Sequence, residues 1–192
     1  VKYGTWAVSG PKNKADAERL RRAGYSPITA AVLCSRGYDT PELAREFLAC
    51  DRPLSDPFEL LDMEPARARV QRALDKKEHI CVFGDYDVDG ITATCLMTEF
   101  LRGLGGHVTS YIPARLEEGY GLNPLAIDTL KKQGVQLIVT VDCGITANAE
   151  AALCRELGID LVITDHHECK TALPEAGDMV EQNGPDQTPG LL

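Results

Sequence analysis

The stretch HICVFGDYDVDGIT, residues 79–92, decides the fold of this chain. It begins with a short apolar run over 79–83 and continues as an acidic loop over 84–90. An apolar pattern with helical spacing follows over 91–104. A buried strand that leads through a loop into a helix is typical of the βα unit of a parallel sheet. The stretch therefore predicts a strand at 79–83 inside an α/β domain.

The alternation of strands and helices continues on both sides of this unit. A basic amphipathic helix is predicted over 65–77, before the first strand. Further strands are predicted at 107–112, 135–141 and 159–164, and further helices at 123–133 and 146–157. Strands that alternate with helices of this length form right-handed βαβ units. The predicted fold class is α/β, a parallel sheet with helices on both faces, preceded by a small helical N-terminal segment.

Breaker residues and composition divide the chain into three parts. Residues 1–60 form the helical N-terminal segment, with helical spacing over 14–23, 27–36 and 41–49. Residues 61–175 form the α/β domain, and the turn-rich stretch 51–57 lies near the boundary. Residues 176–192 are rich in Pro, Gly and polar residues, which predicts an irregular tail.

Composition limits the classes of protein that this chain can represent. Its 192 residues are 44% hydrophobic and 26% charged, which is typical of a globular α/β domain with an accessory segment. No apolar run is long enough to span a bilayer, so we expect a cytoplasmic protein without membrane contact. The formal charge of −9 argues against binding of nucleic acid by bulk electrostatics, because proteins that bind in this way are usually basic.

Acidic residues follow three of the predicted strands at the point where each strand ends. They are Asp85, Asp87 and Asp89 after the first strand, Asp142 after the third, and Asp165 with His166 and His167 after the fourth. Ligands bind at the carboxyl edge of such sheets, where these loops meet. Extended backbone would direct the three aspartates of the first loop to one side, with Tyr86 and Val88 facing away.

Carboxylates this close together raise one another's pKa unless a cation compensates them, so the cluster predicts a metal site. Oxygen ligands with one or two imidazoles suit Mn²⁺ or Mg²⁺. An aspartate that bridges two ions is the arrangement by which two-metal hydrolases activate water and hold phosphoryl oxygens, which favours phosphoester hydrolysis. A single acidic loop is more often solvated, and Asp89 alone could cap a helix that begins near Gly90. Three such loops at one edge favour the metal site.

Other chemistries have weaker support in the sequence. Neither GxGxxG nor GxxxxGK[ST] is present, which excludes the common nucleotide-binding loops. Cys143, beside Asp142, lacks the motif of a catalytic nucleophile. The seven cysteines are odd in number and contain no CxxC pair, so they fit neither a disulfide framework nor a zinc site. We expect reduced, mostly buried thiols.

Four motifs resemble those of the DHH phosphoesterase superfamily in order and spacing. They are GDYDVDGIT (84–92), YIPARLEEGYGLN (111–123), VTVDCGI (139–145) and VITDHH (162–167). Within the superfamily, RLEEGYGL at 115–122 resembles the RecJ family of bacterial single-strand-specific DNA exonucleases. The resemblance implies a metal-dependent hydrolase that degrades single-stranded DNA in the 5′→3′ direction during recombination and repair. It also implies two Mn²⁺ or Mg²⁺ ions in a complete site and repair proteins as further partners.

The resemblance also implies the ligands of the two ions. Carried over by motif, Asp87 and Asp89 would be metal ligands, with Asp85 as a further candidate in the same loop. Asp142 would bridge the two ions, and His166 would ligate the second ion.

The remaining site residues implied by the resemblance would act on the substrate or support the ligands. Asp165 would orient a histidine from behind the metal site. His167 would contact the scissile phosphate, and Arg115 is a candidate for a second phosphate contact. Arg115 could equally be a surface arginine paired with Glu117 or Glu118.

The sequence also departs from the RecJ pattern. RecJ proteins continue past the last motif with a further aspartate motif, a DHHA1 domain and an OB-type fold, which these 192 residues do not contain. We therefore expect an incomplete DHH domain, a truncated tail, and weak or no activity of this chain alone. Two alternatives stay open: a DHH phosphoesterase acting on cyclic dinucleotides or short oligonucleotides, and a catalytically inactive DHH scaffold that binds repair or replication partners.

Overall fold

The computed structural model describes residues 14–49, 54–114, 118–169, 173–174 and 178–181. The chain divides into two compact units, Val1–Ser55 and Asp56–Leu192. The first unit contains three helices, α1 (Lys14–Arg22), α2 (Pro27–Ser35) and α3 (Pro41–Ala49), which confirms the predicted N-terminal helices. The hydroxyl of Ser26 caps α2 by accepting a hydrogen bond from the backbone N–H of Thr29 at 3.1 Å.

The second unit is an α/β domain, as the sequence predicts. It contains, in chain order, a 3₁₀ turn (Pro57–Glu59), α4 (Met63–Lys76), β1 (His79–Phe83), α5 (Val88–Gly103), β2 (His107–Tyr111), α6 (Pro124–Lys132), β3 (Leu137–Val141), α7 (Asn148–Glu156), β4 (Asp160–Asp165) and β5 (Asp178–Glu181). None of the helices in the described part of the chain is long and apolar enough to cross a membrane.

The five strands form one parallel sheet in the order β2-β1-β3-β4-β5. Strand β1 lies between β2 and β3, so the chain adds β2 on one side of β1 and then continues on the other side. In doubly wound sheets, ligands bind in the crevice where the strand order reverses, outside the carboxyl ends of the strands. In this sheet the order reverses at β1, and β1 and β3 are the neighbouring strands there. The fold therefore directs attention to the loops that follow β1 and β3.

Successive residues of the strands face two separate hydrophobic cores. In β1, Cys81 and Phe83 belong to the core that contains residues of α6 and α7, whereas Ile80 and Val82 belong to the core that contains residues of α4 and α5. All five residues of β3 are buried. Because full burial of one such side chain stabilises a fold by about 1.5–3 kcal/mol, these two layers fix the positions of the strand ends.

The expectation of an irregular tail is wrong for residues 178–181. These residues form β5, an edge strand that pairs in parallel with β4, with Asp178 opposite Val162 and Glu181 opposite Asp165. The segment contains only two consecutive apolar residues, so it has no periodicity that identifies a strand. Residues 178–181 are identified as a strand by their backbone pairing with β4, and not by their sequence pattern.

Two glycines allow the tight turn from β1 into α5. A Cβ atom on Gly90 would lie 2.5–2.7 Å from the backbone of Asp85, and one on Gly84 would lie 1.9 Å from the hydroxyl oxygen of Thr94. That hydroxyl donates a hydrogen bond to the carbonyl of Gly90 at 2.7 Å. The start of α5 is therefore packed directly against the loop that carries Asp85.

Replacement of Gly90 by alanine is expected to destabilise the domain by about 1–3 kcal/mol, because the new methyl group meets backbone that has no room to move. Urea unfolding followed by circular dichroism measures this change. Gly103→Ala is the matched control, since Gly103 ends the same helix and a Cβ there would meet nothing within 4 Å. The control should be neutral or stabilising by up to about 1 kcal/mol. Equal effects of the two substitutions would contradict this account of the turn.

Candidate metal centre

Three potential metal ligands converge at the carboxyl edge of the sheet. One ligand atom each of Asp142, His166 and His167 lie within 4.8 Å of one another. Asp142 directly follows β3, and the two histidines directly follow the neighbouring strand β4. The Nε2 atom of His166 lies 2.8 Å from Oδ1 of Asp142. The structure thus brings together residues from two of the three acidic loops that the sequence singles out.

The buried carboxylate of Asp165 forms hydrogen bonds with both histidines. Its Oδ1 accepts hydrogen bonds from the backbone N–H of His166 at 2.7 Å and of His167 at 3.1 Å, and lies 2.7 Å from Nδ1 of His167. Its Oδ2 accepts a hydrogen bond from the backbone N–H of Ile145 at 3.0 Å. The side chain of Asp165 is only 2% exposed. These bonds join the loops after β3 and β4 and fix the orientation of the His167 ring.

The environment of His167 favours its protonated form. The hydrogen bond with Asp165 raises the pKa of His167, and the negative charges of Asp165, Asp142 and Asp87 act in the same direction. Partial burial opposes this rise in pKa. The charge of Asp87 thus acts on the same histidine as the charges of Asp142 and Asp165.

Asp142 combines an unusual backbone conformation with a partly desolvated carboxylate. Its φ of 61° lies in the left-handed region, which asparagine and aspartate adopt more readily than most other residues. Burial is the main cause that raises the pKa of its carboxyl group, and the charge of Asp87 raises this pKa further. The hydrogen bond with His166 opposes the rise. Strained backbone of this kind is concentrated at functional sites.

The first acidic loop differs from the sequence expectation. Its three aspartates do not alternate along an extended chain, because α5 already begins at Val88. Asp87 is the N-cap of this helix, and its Oδ1 accepts a hydrogen bond from the N–H of Gly90 at 3.0 Å. Asp85 is buried, whereas Asp89 is exposed in the first turn of α5. Capping therefore falls to Asp87 rather than to Asp89.

An open groove of about 700 Å³ extends from the cluster along α5. Its acidic and histidine lining consists of Asp89, Asp142, Asp165 and His166. Its apolar lining includes Ala93, Leu96, Met97 and Phe100 of α5. Asp89, in the first turn of α5, thus lines the same groove as Asp142 and His166.

Tyr120 lies next to this centre and is not among the site residues predicted from the sequence. Its hydroxyl donates a hydrogen bond to the backbone carbonyl of Asp142 at 3.4 Å, and its ring contacts the ring of His167 edge-on. Tyr86, which was expected to face away, makes a similar edge contact with Tyr120. Burial and the nearby carboxylates raise the pKa of Tyr120, so its hydroxyl stays protonated at neutral pH. The only sequence signal was its place in the RLEEGYGL motif.

The other residues singled out by the sequence either lie outside the described ranges or have partners away from this cluster. Arg115 and Glu117 lie outside the described residues. The carboxylate of Glu118 accepts hydrogen bonds from the Tyr111 hydroxyl at 2.6 Å and from the backbone N–H of Ala114 at 2.9 Å. Cys143 is fully buried, and burial raises the pKa of its thiol, so it is unsuited to act as a nucleophile. All six cysteines in the described ranges are free thiols.

The chemistry of the donor groups fits a hard divalent cation. The cluster offers carboxylate oxygens and imidazole nitrogens, a combination that suits Mn²⁺ or Mg²⁺. Asp85 Oδ1 is buried and has no hydrogen-bond partner within the described part of the chain. A buried carboxylate oxygen without a partner is costly unless a positive charge compensates it.

Comparison with known proteins agrees with the fold. Residues 79–190 match the DHH family, N-terminal domain, and the chain belongs to this family. It is 40% identical over 184 residues to the single-stranded-DNA-specific exonuclease RecJ of Bacillus subtilis, covering 95% of this chain and 23% of that protein. It is 39% identical over 162 residues to the protein of the same name from Escherichia coli, covering 84% of this chain and 28% of that protein.

Solved structures show the same similarity. A crystal structure of exonuclease RecJ bound to manganese matches with a TM-score of 0.64 and 36% identity, covering 71% of this chain and 35% of the other. The structure of RecJ with Mn²⁺ from Thermus thermophilus matches with a TM-score of 0.63 and 28% identity, covering 90% of this chain and 24% of the other. These matches confirm the α/β fold class and the resemblance to RecJ. The chain spans about a quarter of the length of the curated relatives described above.

Proposed function

We propose that this chain supplies the metal-binding part of a phosphodiesterase that degrades single-stranded DNA in the 5′→3′ direction. The observation that carries this proposal is the convergence of Asp142, His166 and His167 at the carboxyl edge of a DHH-family sheet, with Asp165 buried behind them. The relatives named as single-stranded-DNA-specific exonucleases support the choice of substrate. The same similarity supports a role in recombination and repair in the cytoplasm.

We propose Asp85, Asp87, Asp89, Asp142 and His166 as the residues that hold divalent ions. Two solved RecJ structures contain manganese, which supports Mn²⁺ as the ion. Mg²⁺ is the chemically related alternative. When bound, such ions neutralise phosphoryl oxygens and lower the pKa of a coordinated water. In this chain Asp142 is the natural bridging residue, because it lies between the loop that carries Asp87 and the strand that precedes His166.

The protein's own groups orient the substrate around this centre. Asp165 fixes Nδ1 of His167, so that Nε2 is the ring nitrogen left for a phosphate oxygen. In its protonated form, which the hydrogen bond with Asp165 favours, His167 donates a charge-assisted hydrogen bond from Nε2 to a phosphate. His167 therefore acts on the scissile phosphate, and Asp165 is its positioning residue. Arg115 is proposed as a second phosphate contact.

Calorimetric titration with Mn²⁺ tests the metal centre directly. The chain should give a saturable signal, and a variant with both Asp87→Ala and Asp142→Ala should give none, because two loops of the centre lose their ligands. Asp128→Asn is the matched control, since Asp128 is a carboxylate on α6 paired with Lys132. Identical titrations for the chain and the double variant would contradict a metal centre at this edge.

Nucleotide release from labelled strands tests the reaction itself. Whatever its absolute rate, release of nucleotides from single strands should require Mn²⁺, exceed release from duplexes, and disappear in His166→Ala. Release that persists in a metal chelator or in this variant would contradict the proposed chemistry.

A further inference from the structure

One aromatic side chain stands at the candidate centre without a role in metal binding. The ring centroid of Tyr120 lies 6.2 Å from that of His167 at an interplanar angle of 82°, and 6.4 Å from that of Tyr86 at 83°. Both contacts are edge contacts rather than parallel stacks. The residue remains 51% exposed although it touches two other rings. An exposed aromatic ring thus lies next to the histidine assigned to the scissile phosphate.

We propose that Tyr120 is a stacking platform for a nucleobase of the single strand whose phosphate lies at His167. The proposal rests on the proposed function and adds a residue that binds the base. Aromatic rings accept any base on their faces, and such stacking strengthens strand binding by about five- to a hundredfold per base. A base attached to a phosphate at His167 lies within reach of Tyr120, because the two rings are in direct contact.

The electrostatics of the chain make such a contact important for affinity. The formal charge is −9, so bulk attraction to phosphates does not hold the strand. The arginines of the basic helix α4 are engaged within the protein: Arg67 pairs with Glu64, Arg69 with Glu78, and both Arg69 and Arg72 with Asp160. Binding of the strand at this end of the sheet therefore depends on the ions, on the phosphate contacts proposed for His167 and Arg115, and on stacking.

The apolar groove along α5 is the competing place for a base. Its aromatic residue, Phe100, is also exposed, at 60%. Phe100 lies 11 residues after Asp89 in the same helix, about 16 Å along the helix axis. It is thus remote from the phosphate site, and it serves as a matched exposed aromatic control.

Binding of short single strands that resist hydrolysis, measured by fluorescence anisotropy with Mn²⁺ present, tests the proposal. Two probes are compared, a phosphorothioate strand with all its bases and the same strand with abasic positions at its 5′ end. Tyr120→Ala should weaken binding of the first probe by about five- to a hundredfold and that of the abasic probe by no more than about twofold. Tyr120→Phe and Phe100→Ala should both stay within about twofold of the unmodified chain.

Three results would overturn the proposal. Equal weakening on both probes would mean that Tyr120 acts through its hydrogen bond with Asp142 rather than by stacking. Weakening by Phe100→Ala, with Tyr120→Ala neutral, would place the base in the α5 groove. Full binding by Tyr120→Leu, which keeps the bulk without the aromatic face, would exclude stacking even if the alanine variant folds poorly. Failure of the proposed function is distinguishable, because the unmodified chain would then bind neither probe and its Mn²⁺ titration would be flat.

Discussion

Asp142→Asn is expected to lower the Mn²⁺ affinity of the chain by more than about a hundredfold. Residues that only support metal ligands contribute about 10- to 100-fold to affinity, and Asp142 is proposed as the ligand shared by both ions. Asparagine adopts the left-handed backbone conformation that position 142 requires, so the loop keeps its shape while it loses its charge. Calorimetric titration measures the affinity, and nucleotide release from single strands should fall with it.

The same substitution should leave stability without metal unchanged or increase it. Burial raises the pKa of the Asp142 carboxyl, which means that the folded state disfavours its charged form at neutral pH. A neutral amide removes this unfavourable charge, so the urea midpoint should not fall. Asp128→Asn controls for the loss of a carboxylate elsewhere on the domain. Unchanged Mn²⁺ affinity in Asp142→Asn, or a large loss of stability, would show that this residue is structural.

The central strands could be predicted because strands that are buried on both faces have continuous apolar sequences. Strand β1 matches its predicted range of 79–83, and the continuous apolar runs of β3 and β4 identify strands that are covered on both faces. The acidic residues that follow these runs reach one edge because all the strands are parallel. Parallel topology therefore lets the sequence predict which loops meet.

The features that the sequence did not predict correctly depend on backbone geometry rather than on composition. The helix begins at Val88 and makes Asp87 its N-cap, whereas an assumption of extended chain places Asp85, Asp87 and Asp89 on one side. The place of Tyr120 depends on how a loop folds back over Asp142, and its sequence carries no period that encodes this. Pairing with β4 likewise organises β5, whose four residues contain no strand signal of their own.

Asp165→Asn is expected to reduce both stability and metal affinity, in contrast to Asp142→Asn. Three backbone N–H groups and the His167 ring direct hydrogen bonds at the two oxygens of this buried carboxylate. An amide offers one oxygen and turns its NH₂ group toward donors, so at least one buried donor loses its partner. Hydrogen bonds to charged groups contribute about 1.5–3 kcal/mol each, and we expect a loss of about 3 kcal/mol in urea unfolding.

Metal affinity in Asp165→Asn should fall by about 10- to 100-fold, although Asp165 is not proposed to touch an ion. The reason is that its carboxylate holds the backbone of His166 and the ring of His167, and a loosened loop no longer presents these nitrogens together with Asp142. Calorimetric titration with Mn²⁺ in the absence of urea, at a temperature well below the unfolding transition, separates the loss of metal affinity from unfolding. Loss of stability with full Mn²⁺ affinity would mean that the loop after β4 keeps its geometry without the carboxylate. Loss of affinity with full stability would instead make Asp165 a direct ligand, because a ligand contributes through the ion and a supporting residue contributes through the fold.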